Sequence, residues 1–333
     1  MQRCSDKLAP EHRRAHAAER FWSMTTIFSA RSRQYGYFLL DVFTKIALQG
    51  NPLAVVPDAE GLSEAEMQAI AGEFNLSETV FLLPASAPNA AVKARIFTPR
   101  RELPFAGHPT IGAASVVSRR AGIPPRFFIE ELVGPVQIDA DTDSDGDPLF
   151  WLTTPNVTFY ESMEPEFCAR LLGLTRDDIS GDVPPGFVSA GSPLLFVFLR
   201  STQAVDRAEL QQAHLQEALG SVNSVGTFIF AKKDDSSTGF DVYSRMFAPQ
   251  TGIPEDPATG GATGPLAAYM MRHGILPAST GIDFTSEQGT KMKRKSILHV
   301  RTNPQDHSIK VGGSTVTVAT GTFALPESLA ART

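Results

Sequence analysis

Arg95-Ile96-Phe97-Thr98-Pro99 returns 150 residues later as Arg245-Met246-Phe247-Ala248-Pro249. Two further matches run in the same order around this pair. Phe81 is echoed by Phe228, offset by 147, and Gly122-Ile123 by Gly274-Ile275, offset by 152. Between these anchors each half has a Gly-rich turn opening an apolar helix, Ala106-Gly107-His108-Pro109 in one and Thr259-Gly260-Gly261-Ala262 in the other. Three ordered matches around one strand–turn–helix unit indicate an internal duplication. The expected fold class is therefore α+β, with two similar lobes and a cleft between them, a common place for a small ligand.

Working outward, Tyr37-Phe38-Leu39-Leu40-Asp41-Val42-Phe43 has the pattern of a buried strand. Gly50-Asn51-Pro52 suits a turn, and Leu53 to Val56 a second strand. Ser63 with Glu66 three residues on predicts a capping box opening a helix that runs to about Phe74. Strands are expected at 79–83, 92–97, 127–131, 135–139 and 149–153, and an apolar helix from about Thr110 to Arg120. The 280–325 segment has the pattern of closing strands, which can cross between lobes. The expected organisation is an arm over 1–34, a first lobe over 35–155 and a second over 156–325.

The 333 residues suit two domains. Apolar residues make up 42 % of the chain and charged residues 20 %, ordinary for a globular protein with two cores. The formal net charge of −6 gives no basic excess, so no nucleic-acid partner is expected. No stretch reaches 18 apolar residues, so no membrane span is expected either. Cys4 and Cys168 form no metal motif and no expected disulfide, which favours a reducing, cytoplasmic setting. Residues 1–34 are basic and lack a long apolar core, unlike a secretory signal. Three readings of them stay open: a disordered or partly helical arm, an upstream start codon with Met24 as the true start, or a transit peptide.

Glu78, in Asn75-Leu76-Ser77-Glu78-Thr79, follows a helix and precedes the apolar run Val80-Phe81-Leu82-Leu83. Partial desolvation there would raise its carboxyl pKa toward the value a general base needs. On position alone, a turn cap or a solvent-facing side chain is the commoner outcome. Gly107-His108-Pro109-Thr110 and Asp256-Pro257-Ala258-Thr259-Gly260-Gly261 open the two repeated helices. Glycines let a ligand approach the backbone, and free first-turn N–H groups bind anions. Two ordinary helix starts would look alike, but their matching places in a repeat favour a carboxylate site. His108 can orient a substrate, exchange a proton, or be structural. Asp256 can hold an amine or hydroxyl, or serve as an N-cap. His12 and His16 lack further ligands, and no metal site is expected. Gly-x-Gly-x-x-Gly after a strand, the Walker lysine motif and Gly-x-Ser-x-Gly are absent.

Taken together, Asp41-Val42-Phe43-Thr44, Gly50-Asn51-Pro52-Leu53-Ala54-Val55, Asn75-Leu76-Ser77-Glu78-Thr79, Ile96-Phe97-Thr98-Pro99, Pro104-Phe105-Ala106-Gly107-His108-Pro109-Thr110 and Glu255-Asp256-Pro257-Ala258-Thr259-Gly260 resemble the PhzF-like phenazine biosynthesis family. The resemblance runs from about Tyr37 to Phe323. It implies the diaminopimelate epimerase-like fold, each lobe a mixed barrel-like sheet around a central helix, and often a homodimer. It implies an isomerase with no metal and no organic cofactor. Glu78 would move a proton between carbons of a small carboxylic acid such as trans-2,3-dihydro-3-hydroxyanthranilate. Ser77, Gly107, His108, Asp256, Thr259, Gly260 and Gly261 would bind the substrate, its carboxylate held largely by backbone amides. The phenazine isomerase has a serine where this chain has Gly261, which puts the substrate in question but not the fold. A binding or regulatory member without the chemistry, and an epimerase or lyase on a related acid, remain as alternatives. Ala106 and Thr259 stand where two-thiol racemases of this fold carry cysteines, so that chemistry is not expected.

Overall fold

The computed structural model describes residues 32–236, 238–277 and 279–326. The first half contains β1 (Ser32–Val42), β2 (Asn51–Val56), α1 (Glu64–Phe74), β3 (Glu78–Leu83), β4 (Val92–Phe97), β5 (Glu102–Leu103), α2 (Gly107–Val117), β6 (Arg126–Glu131), β7 (Gly134–Thr142) and β8 (Pro148–Thr153). The second contains β9 (Thr158–Ser162), α3 (Pro165–Leu171), β10 (Gly186–Ser189), β11 (Leu194–Phe198), α4 (Thr202–Arg207), β12 (Thr227–Lys232), β13 (Val242–Ala248), β14 (Ile253–Asp256), α5 (Gly260–Arg272), β15 (Asp283–Gln288), β16 (Ser296–Thr302), β17 (Ile309–Gly313) and β18 (Thr315–Pro326). The result is a mixed α+β fold with few helices and a large mixed sheet.

The expected duplication appears as matching strand pairings. In each half a parallel pair, β2 with β3 and β11 with β12, leads into an antiparallel pair, β3 with β4 and β12 with β13. The next parallel pairs, β4 with β6 and β13 with β15, match as well. Arg95 and Arg245 play the same part in each half. Each guanidinium binds one carboxylate of the following short strand with both oxygens, Glu102 at 2.5 and 2.7 Å and Glu255 at 2.8 and 2.9 Å. Each also lies over the ring two residues on, Phe97 at 5.1 Å and Phe247 at 4.7 Å.

The register corrects one expected match. Phe81 pairs with Arg95, whereas Phe228 pairs with Met246, so the true counterpart of Phe228 is Val80, which pairs with Ile96. Side chains alternate across a strand, so a one-residue slip exchanges its two faces. Val80 and Phe228 face the central helices, while Phe81 lies on the other face against Phe97.

Apolar residues collect around α2 and α5. All eleven residues of α2 are buried, as expected of a helix that is apolar on every side. Its cluster includes Leu40, Leu53, Val80, Ile96 and Ile138, together with Leu298 and Val311 from late in the chain. Strand β17 reaches the first half by pairing antiparallel with β8. The cluster around α5 includes Phe196, Phe228, Phe230 and Tyr269. A third holds Cys168, Phe187, Ile229 and Phe247, leaving Cys168 buried and unbridged. Cys4, His12, His16 and the other residues of 1–31 lie outside the described residues. Residues 35–322 form one compact unit; of a second, the described residues are 32–34 and 323–326, both strand segments.

α1 has the expected capping box, with Ser63 and Glu66 bonded reciprocally. α2 begins three residues earlier than expected, at Gly107 rather than Thr110. Pro109 therefore lies inside the first turn, where its missing N–H is no loss. The chain leaves the helix after Val117 through i→i−3 bonds from Arg119 and Arg120. No described helix is long and apolar enough to cross a membrane.

Candidate active site

Leu53 of β2 pairs in parallel with Glu78 of β3, so Asn51 and Glu78 stand at the same end of the sheet. The starts of α2 and α5 meet at that end. A Cβ on Gly107 would stand 2.6 Å from the Gly261 nitrogen and 2.7 Å from the Gly260 carbonyl carbon. Only glycine permits so close an approach of two backbones. Neither Ala106 nor Thr259 caps the first-turn amides with its side chain. Two helix N-termini thus present amide groups side by side, an arrangement suited to an anion.

A cleft of about 1060 Å³ opens here. Its wall includes six of the expected residues besides Gly107, namely Glu78, His108, Asp256, Thr259, Gly260 and Gly261. Ser77 is half-buried in the bend before β3 and is not among the lining residues. Glu78 is neither a turn cap nor solvent-facing: it is 9 % exposed. Burial, and then the charge of Asp256, push its pKa up to about 8. Glu78 Oε2 lies 3.3 Å from His108 Nε2.

Burial pushes the pKa of His108 down to about 3, so its imidazole is neutral. Its Nδ1 faces the Asn51 amide nitrogen at 3.3 Å. That nitrogen is a donor, because it also lies 2.9 Å from Asp256 Oδ1 and 2.9 Å from the Ala258 carbonyl oxygen. An Nδ1–H would meet this donor nitrogen, so Nδ1 is the unprotonated ring nitrogen and Nε2 carries the hydrogen; Nε2 and Glu78 Oε2, though close, make no hydrogen bond with each other or with any other described side chain.

Asp256 ends β14 and is not the N-cap of α5; Thr259 holds that position. The Asp256 carboxylate accepts hydrogen bonds from Thr259 Oγ1 at 2.6 Å and from Asn51. Burial raises its pKa to about 6, against these donors. Gln288 completes the arrangement. It donates to the Asp256 carbonyl at 2.7 Å and to Thr259 Oγ1 at 3.0 Å, and accepts from the Thr259 amide at 3.1 Å.

Asn51 and Gln288 were not singled out from sequence. Asn51 had a signal: Gly50-Asn51-Pro52-Leu53 recurs as Gly191-Ser192-Pro193-Leu194, and the parallel pairings place Val55 and Phe196 in matching positions. Gln288 had none, as it lies 29 residues beyond its partner Thr259.

The two halves are not equivalent in chemistry. Glu78 precedes Val80 by two residues, and Gly226 stands at the matching place before Phe228. A Cβ on Gly226 would lie 2.4 Å from the Phe247 carbonyl oxygen, so no side chain fits there. His108 is matched by Gly261, whose Cβ position faces open space. Away from the cleft, Asp143, Asp145 and Asp147 are the one group of three acids among the described residues close enough to share a metal ion, and Lys45 forms ion pairs with all three.

The sequence profile described as phenazine biosynthesis-like protein matches residues 40–321. The chain belongs to this family. A phenazine biosynthesis-like relative named trans-2,3-dihydro-3-hydroxyanthranilate isomerase, from Pseudomonas chlororaphis, is 33 % identical over 87 % of this chain and 99 % of its own. A solved Pseudomonas aeruginosa structure titled a predicted epimerase is 33 % identical, with a TM-score of 0.73, over 87 % of this chain and 99 % of that one. The Bacillus anthracis phenazine biosynthesis protein of the PhzF family shares the fold, with a TM-score of 0.80 at 23 % identity, over 88 % of this chain and all of that one. In reaction class, this member of the phenazine biosynthesis-like family is an isomerase.

Proposed function

We propose that the chain is a cofactor-independent isomerase that moves a proton between carbons of a small carboxylic acid, with Glu78 as acid and base. The observation that carries this reading is the Glu78 carboxyl, buried in the cleft wall with a pKa near 8 and facing a neutral histidine. The substrate carboxylate sits at the first-turn amides of α2 and α5. Ionised Glu78 takes a proton from a carbon, and the electron pair spreads into the adjacent unsaturation. Glu78 then returns the proton to another carbon of the same conjugated system, so no atom is gained or lost. His108 Nε2–H donates to charge that develops on the substrate. Asn51, Thr259 and Gln288 hold Asp256 and the start of α5 in place.

The reaction of the trans-2,3-dihydro-3-hydroxyanthranilate isomerases is of this type, and 33 % identity with one of them supports the reading. Glu78→Gln should lower kcat by roughly 10²–10⁴ while circular dichroism stays unchanged. Solvent deuterium should enter the product during wild-type turnover. Full activity in Glu78→Gln would remove Glu78 from the mechanism.

A further inference from the structure

Among the described arginines, Arg100 and Arg101 alone have no side-chain hydrogen bond, ion pair or ring contact. Arg95, Arg245 and Arg294, for comparison, each bind a carboxylate. The pair stands on the turn between β4 and β5, and that turn is fixed. Thr98 Oγ1 accepts the Arg100 and Arg101 amides at 3.2 and 3.0 Å, and the Thr98 amide donates to the Arg101 carbonyl at 2.9 Å. The backbone is tied down while both guanidinium groups are left uncommitted.

Both residues line the same cleft as Glu78 and are exposed. Arg100 reaches toward the turn that joins β13 to β14, the counterpart of its own in the second half. A Cβ on Gly252 would lie 3.4–3.6 Å from its guanidinium atoms. Gln250 and Thr251 of that opposing turn also line the cleft. With His108 neutral, Arg100 and Arg101 are the cationic groups of the wall, while Glu78 and Asp256 are its acids. The cleft is also much larger than one small monocarboxylate fills.

We propose that Arg100 and Arg101, with the opposing Gln250–Thr251 turn, form a second anion subsite. The substrate acid then carries a second anionic group, a carboxylate or a phosphate, besides the carboxylate held at the helix starts. Planar guanidinium forks match both groups, and such charge-assisted bonds are the stronger kind. The inference rests on the proposed function only in placing the first carboxylate at the helix starts. It does not depend on Glu78 being the base.

The test is calorimetric titration of the full chain with three probes: valerate, glutarate and 4-phosphonobutanoate. The two dianions should bind roughly 10- to 100-fold more tightly than valerate. Arg100→Ala/Arg101→Ala should remove that advantage and leave valerate affinity unchanged, which also reports an intact fold. The tighter of the two dianions identifies the second group. Equal affinity for valerate and both dianions overturns the proposal, as does a double variant that keeps the dianion advantage, or failure of all three probes to bind. Repeating the titration with Glu78→Gln separates this result from the catalytic reading, because binding should persist there whether or not turnover does.

Discussion

Asn51 Nδ2 lies 2.9 Å from Asp256 Oδ1, joining the start of β2 to the end of β14 across 205 residues of sequence. The same nitrogen faces His108 Nδ1 and so determines which ring nitrogen of His108 bears the hydrogen. Nitrogen-15 spectra of His108 should therefore show the Nε2–H tautomer. Asn51→Leu should change that spectrum and destabilise the fold by about 1–3 kcal/mol, because Asp256 and the Ala258 carbonyl lose a buried donor. An Nδ1–H signal in the wild type would contradict the geometry.

Activity should depend on pH through Glu78. A base must be ionised, and its pKa in the free protein is about 8. The value of kcat/KM should therefore rise as pH increases toward 8 and level off above it. A profile already flat between pH 6 and 8 would place the base elsewhere.

Stability should follow the opposite trend. Glu78 and Glu131 have folded pKa values of about 8, raised from 4.5 mainly by burial. The folded state holds these protons longer than the unfolded chain does. Their stabilising contribution is thus full below about pH 4.5 and is lost as pH rises to about 8. Glu131 bonds Thr110 at 2.6 Å, and the strand pairings put Gln288 at its matching place in the second half. Glu131→Gln should flatten the slope of stability between pH 5 and 8, seen by denaturant titration, and stabilise the fold at pH 8 by at least about 1 kcal/mol.

The glycines at the helix starts should divide sharply. Gly107→Ala forces a methyl group into the Gly260–Gly261 backbone and should cost about 1–3 kcal/mol, with loss of carboxylate affinity. Gly261→Ser enters open space and should change stability by no more than about 0.5 kcal/mol. It supplies the hydroxyl that the family resemblance implies at this place and should raise activity on trans-2,3-dihydro-3-hydroxyanthranilate relative to wild type. Thermal melts and a direct assay of that substrate check both changes.

The repeat was legible because Arg95 and Arg245 are conspicuous and each needs a carboxylate partner on the next strand. The Phe81 match failed because both faces of these strands are apolar. With no polar alternation, the sequence carries no mark of register, and a slip of one residue is invisible. Gly107, His108 and Asp256 could be located from the helix-start pattern. Their protonation could not, because burial and partners from distant strands set it. Asn51 reads as part of a turn because its local context, Gly50 and Pro52, is turn-like, although its amide lies fully buried among three acceptors.

Gly226 leaves the second half without a counterpart to Glu78, and Asp256 is committed to Asn51 and Thr259. Under the proposed function, one carboxylate then both removes the hydrogen and delivers it. A substrate held by its carboxylate cannot turn over between these two events, so departure and return share one face of the molecule. The proposed transfer would be suprafacial, and the product should keep part of the substrate's own hydrogen. Under the proposed function, stereochemistry is settled by a glycine that has no room to be anything else.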